Sequence, residues 1–125
     1  MAVSKAYLEF IGEQLAALGH VTSRKMFGGA AVYVDGDIIA LIADDVLFLK
    51  ADETTQPDFI SEGCGPFTYM TKDGEHSLNT YWRAPDRLFD DIDAMHDFAR
   101  KALKVSRRAA SQKKPAAESK STKRK

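Results

Sequence analysis

Few residues in this 125-residue chain could do covalent or metal chemistry: one cysteine, Cys64, and three histidines, His20, His76 and His96. Cys64 lies in EGCGP, a glycine-flanked stretch that reads as a loop. A catalytic thiol needs a nearby histidine or helix N-terminus to lower its pKa, together with an oriented base and donors for developing charge. No local motif supplies them, so Cys64 reads as an incidental loop cysteine. The cysteine and histidines show no CxxC, HxxxH or HExxH spacing, and no metal site is expected. Asp90, Asp91, Asp93 and Asp97 do not form an EF-hand pattern and read as a solvated acidic face. No catalytic residue or cofactor is assigned, and the chain is expected not to be an enzyme.

The stretch RKMFGGAAVYVDG, residues 24–36, contains the glycine pair Gly28-Gly29. A phosphate-cradling loop requires a helix after its glycines, whose N–H groups and dipole hold the anion. Here AAVYV follows, a strand pattern, and neither GxxxxGK[ST] nor GxGxxG occurs. Glycine in such a pattern marks a bend or a close approach of neighbouring chain.

The elements around these residues follow from periodicity. Leu8, Ile11, Leu15 and Leu18 have helical spacing, with Ser4 as N-cap and Gly19 as stop. Strands are expected over 21–27, 30–34, 38–43 and 46–50, with Asp35-Gly36 as a hairpin turn and Asp44-Asp45 as a weaker one. IIALIA is apolar on both faces and belongs in the middle of a sheet. Residues 52–62 predict a short helix with Pro57 in its first turn. A second hairpin covers 67–71 and 76–83. Asp86 is then expected to cap a final helix whose stripe is Leu88, Ile92, Met95, Ala99 and Ala102. The order αββββαββα predicts an α+β fold with helices packed on an antiparallel sheet.

With 44% hydrophobic and 29% charged residues the chain can bury one core. It contains no membrane-length apolar run, its N-terminus does not read as a signal peptide, and a single cysteine fits a reducing cytoplasm. The net charge of zero conceals a split. Nine of the 18 Lys/Arg lie from Lys104 onward beside one acid, Glu118, leaving residues 1–103 at −8. The expected organisation is therefore a folded domain over 1–104 and a disordered basic tail over 105–125. The tail's cations, Arg107, Arg108, Lys113, Lys114, Lys120, Lys123, Arg124 and Lys125, would draw polyanions without reading bases.

RKMFGGAAVYVDGDIIALI, LFLKAD, PFTY and YWRAPDRLFDD together resemble the N-terminal domain of the TfoX/Sxy family. The resemblance covers about residues 5–103. It implies a secretion-chaperone-like α+β domain and a regulatory role of the kind played by family members that act as competence-gene coactivators with the cyclic-AMP receptor protein. Those members carry a second, C-terminal domain, where this chain has its basic segment. The resemblance brings no catalytic residues and admits a homodimer.

Candidate partner contacts are Arg24 and Lys25, as an exposed basic pair, and Tyr81, Trp82 and Arg83. Aromatics beside an arginine suit both protein interfaces and base stacking, whereas for Trp82 itself packing beneath the final helix is the favoured reading. The leading expectation is a regulator acting by protein contact, with the tail adding nucleic-acid attraction. Alternatives are a nucleic-acid-binding protein in its own right and, less favoured, a small enzyme using Cys64.

Overall fold

The computed structural model describes residues 4–26 and 29–117. Helix α1 spans Lys5–Leu15, and the Ser4 hydroxyl accepts a hydrogen bond from the Tyr7 N–H at 3.1 Å, the expected N-cap. A 3-10 turn over Ala16–Leu18 leads to Gly19. The strands are β1 (Val21–Met26), β2 (Gly29–Val34), β3 (Asp37–Ala43), β4 (Val46–Lys50), β5 (Pro66–Thr71) and β6 (Gly74–Arg83). Helix α2 (Gln56–Ser61), with proline in its first turn, links β4 to β5, and α3 (Ile92–Ala117) follows β6.

The strands form one antiparallel sheet in the order β1-β2-β3-β4-β6-β5. Strand β3, which carries IIALIA, is internal as its two apolar faces require. Asp35 (φ 51°) and Gly36 (φ 85°) make the β2–β3 turn in the left-handed region. Asp44 (φ 52°) and Asp45 (φ 56°) do the same between β3 and β4 without glycine. The Asp45 carboxylate is also engaged, accepting from the Ser4 N–H at 2.8 Å.

The core lies on one face of the sheet. Val32, Val34, Ala40, Ile42, Leu47, Leu49 and Trp82 meet Ile11 and Leu15 of α1, Phe59 of α2, and Met95, Phe98, Ala99, Ala102 and Leu103 of α3. The expectation of helices packed on an antiparallel sheet is met, with the core-forming helices on that face.

At Gly29 an added Cβ would collide with the carbonyl oxygen of Ile42, so the glycine allows β2 to lie against β3. Gly28 lies outside the described residues. A methyl group at position 29 must push backbone aside. Gly29→Ala should therefore cost about 1–3 kcal/mol, the range for overpacking, measured as the loss of unfolding free energy in urea.

One expectation about the C-terminal region changes. Asp86 does not cap the last helix. Asp86–Asp90 is a 3-10 turn that buries Leu88, and the cap is Asp91, whose carboxylate accepts from the Ala94 N–H at 3.2 Å. Ile92 is consequently 44% exposed, and the buried stripe runs instead through Met95, Phe98, Ala99, Ala102 and Leu103. Helix α3 runs past the expected boundary at 104/105, to Ala117. Val105 and Ser106 are buried, and Arg107 and Arg108 are paired with carboxylates of the body. A low-complexity stretch is thus held in place by one valine, one serine and two arginines facing acidic partners. Residues 118–125 lie outside the described residues.

Candidate functional site

The five sequence-based contact candidates separate in the structure. Trp82 is 8% exposed and belongs to the core. Its indole N–H donates to the Asn79 carbonyl at 2.8 Å, and its ring lies 6.2 Å from that of Phe59. Its polar atom is satisfied and its apolar body is buried, so Trp82 is structural.

Tyr81 points to the opposite face. It is 7% exposed, and the Lys50 ammonium lies over its ring at 4.9 Å from the centroid. Burial first, and then the neighbouring Tyr33, pushes its phenol up to about 12, so it stays protonated across the physiological range. Arg24 and Lys25 are both exposed on the edge strand β1, pointing to opposite faces. Arg83 is exposed at the end of β6 and reaches the Asp86 carboxylate at 3.5 Å.

Register shows what Arg24, Tyr81 and Arg83 share. Directly paired residues of an antiparallel sheet point to the same face. The pairs Arg24↔Ala31, Ala31↔Leu41, Leu41↔Phe48 and Phe48↔Arg83 form one cross-strand row on the face away from the helices. Lys50 pairs with Tyr81 on the same face. Tyr33, Ile38, Leu41, Phe48 and Phe67 are only part-buried there, and the Phe48 and Phe67 rings are 4.8 Å apart. The aromatic series continues through Tyr69, stacked on Phe67 at 5.9 Å, to His76 at 5.7 Å. This is a half-covered apolar surface fringed by cations. Sequence reasoning missed Tyr33, Leu41, Lys50, Phe48 and Phe67. For Leu41, Phe48 and Lys50 the signal was present in the two-sided apolar character of IIALIA and VLFLK, which fits burial on both faces equally well.

Cys64 sits in a pocket lined by Glu62, Arg83, Asp86 and Arg87, with no histidine in the lining. Burial raises its thiol above the ordinary 9.0, and Arg83 only partly opposes this, so the thiol is protonated at neutral pH. His96 is engaged elsewhere, its Nε2 lying 2.9 Å from the Gln14 carbonyl oxygen. Among the described residues no group of three or more His, Cys, Asp or Glu is placed to hold a metal, and no helix is long and apolar enough to cross a membrane.

The basic residues expected in a free tail are partly committed. Arg107 Nε donates to Asp37 at 3.0 Å, and Arg108 donates to Asp52 at 2.6 Å and to the Thr54 hydroxyl at 3.1 Å. The backbone at Lys113 and Lys114 is helical. Lys120, Lys123, Arg124 and Lys125 fall outside the described residues.

Partial burial raises the Asp52 carboxyl, but hydrogen bonds from Thr54 and Arg108 outweigh this and leave it below its ordinary 3.8. A carboxyl depressed by folding adds stability that is present above 3.8 and is lost as pH falls through the lower folded value. Arg108→Ala should therefore cost about 0.5–1 kcal/mol at neutral pH, and the gap from wild type should close as pH falls below that point. Urea unfolding of both proteins across pH checks this.

The family model for the TfoX N-terminal domain matches residues 13–106, ending at Val105 and Ser106, both buried in α3. Comparison with curated proteins finds no match. The match spans most of the chain and agrees with the six-stranded sheet and its helices: the chain belongs to the TfoX N-terminal domain family.

Proposed function

We propose that this chain is a non-enzymatic regulator that acts by protein contact in transcription or competence-type control. The observation that carries this is the sheet face opposite the helices, where Leu41, Phe48 and Tyr33 remain part-buried between Arg24 and Arg83. Aromatic and arginine side chains around an apolar centre are the composition of a protein-binding patch. Family membership supports the regulatory setting. The protonated Cys64 thiol, in a pocket without a histidine in its lining, gives no support to a thiol enzyme.

The basic C-terminal residues have a smaller part than their charge suggests. Arg107 and Arg108 already face Asp37 and Asp52, so a polyanion must compete with these carboxylates. Attraction to nucleic acid therefore rests on the cations beyond them. It should be weak and steeply salt-dependent.

The test is to delete the gene in its native cell, compare transcripts, and restore expression with wild type, Cys64→Ser or Arg24→Glu. Restoration by wild type and Cys64→Ser but not by Arg24→Glu is expected. An unchanged transcript profile on deletion contradicts the regulatory role.

A further inference from the structure

We infer that the open sheet face docks an acidic amphipathic helix from a partner protein, an inference that rests on the protein-contact function proposed above. Charge selects the partner. Arg24 and Arg83 both belong to this face, and their cross-strand partners there, Ala31 and Phe48, are uncharged. Arg83 shares its charge with Asp86 at 3.5 Å, yet its side chain stays 53% exposed. The face is therefore cationic on a body that carries −8 over residues 1–103.

Geometry favours a helix. Arg24 and Arg83 end a row across five strands, so about 19 Å separates them at an interstrand spacing of about 4.8 Å. A helix is about 10–12 Å across with its side chains. It fits between the two arginines with its apolar stripe on Leu41 and Phe48, and carboxylates on its two flanks can reach the cations. The chain's own α1 and α3 cover the other face in the same manner.

Single-stranded nucleic acid fits less well. Bases stack on ring faces that are open, whereas the Tyr81 ring lies under Lys50 and the Phe48 ring packs against Phe67. A second copy of this chain fits less well too, because two such faces would oppose cations to cations.

The test uses a labelled peptide of about 18 residues with leucine at i, i+3, i+4 and i+7 and glutamate on both flanks. Probes for comparison are its lysine-for-glutamate counterpart and a thymidine oligonucleotide. Fluorescence anisotropy should show saturable binding of the acidic peptide only. Arg24→Glu and Arg83→Glu should each weaken binding at least about tenfold, a change of about 1.4 kcal/mol. Arg100→Glu, on the exposed side of α3, should leave it unchanged, and thermal unfolding verifies that each variant is folded. Absence of binding, equal binding of the basic peptide, or unchanged binding by folded Arg24→Glu overturns the inference. So does oligonucleotide binding lost in the same variants, or a dimer in sedimentation that they dissociate. If the peptide fails while deletion still alters transcripts, the face is misassigned and the regulatory role stands. If it binds while transcripts do not change, the reverse holds.

Discussion

Cutting the chain after Lys104 should lower the unfolding free energy of the remaining domain by about 3 kcal/mol. Val105 is 3% exposed, and burial of a valine side chain contributes about 1.5–3 kcal/mol. The Arg107–Asp37 and Arg108–Asp52 pairs, each partly exposed, add about 0.5 kcal/mol apiece. The new helix end would also fray near Ala102 and Leu103, which are buried against the sheet. Urea denaturation of the two lengths measures the difference. A change within about 0.5 kcal/mol would mean that the domain ends where charge composition alone places it. Cutting after Ala110 instead leaves Val105, Ser106 and both arginines in place, and should have little effect.

Trp82→Ala should cost about 3–5 kcal/mol, whereas Arg83→Ala should stay within about 0.5 kcal/mol. The two residues are neighbours in sequence and opposite in role. Trp82 packs beside Phe59 on the core face and donates to the Asn79 carbonyl, which also accepts from the Gln56 amide at 3.1 Å, so truncation leaves a cavity and removes one of that carbonyl's two donors. The Arg83 side chain is 53% exposed and makes a 3.5 Å ion pair with exposed Asp86. Trp82→Phe should recover much of the loss by refilling the space, which separates packing from the hydrogen bond. Thermal or urea unfolding measures all three variants. A folded, stable Trp82→Ala protein with impaired partner binding would place the indole at an interface instead.

What was legible in the sequence was periodicity and turn chemistry. Ser4, Asp35-Gly36 and Pro57 act locally, and each sits where its own conformational preference puts it. Choices made by tertiary packing were not legible. Asp86 and Asp91 are both good caps with apolar residues downstream. Only the burial of Leu88 at the corner before α3 selects Asp91. The continuation of α3 past residue 104 was not legible for a related reason. Composition averages over a segment and does not register one buried valine or two arginines aligned with Asp37 and Asp52. The proposed contact face was half legible. Arg24, Tyr81 and Arg83 were identified singly, but their alignment with Leu41 and Phe48 depends on register across four strand pairs.

The uncovered sheet face can be tested as the working surface by crosslinking inside the native cell. A photo-crosslinking residue in place of Leu41 should capture a discrete protein partner, and the same residue in place of exposed Arg100 should not. Capture from the Arg100 position alone, with none from Leu41 in a protein shown to be folded, would contradict the account.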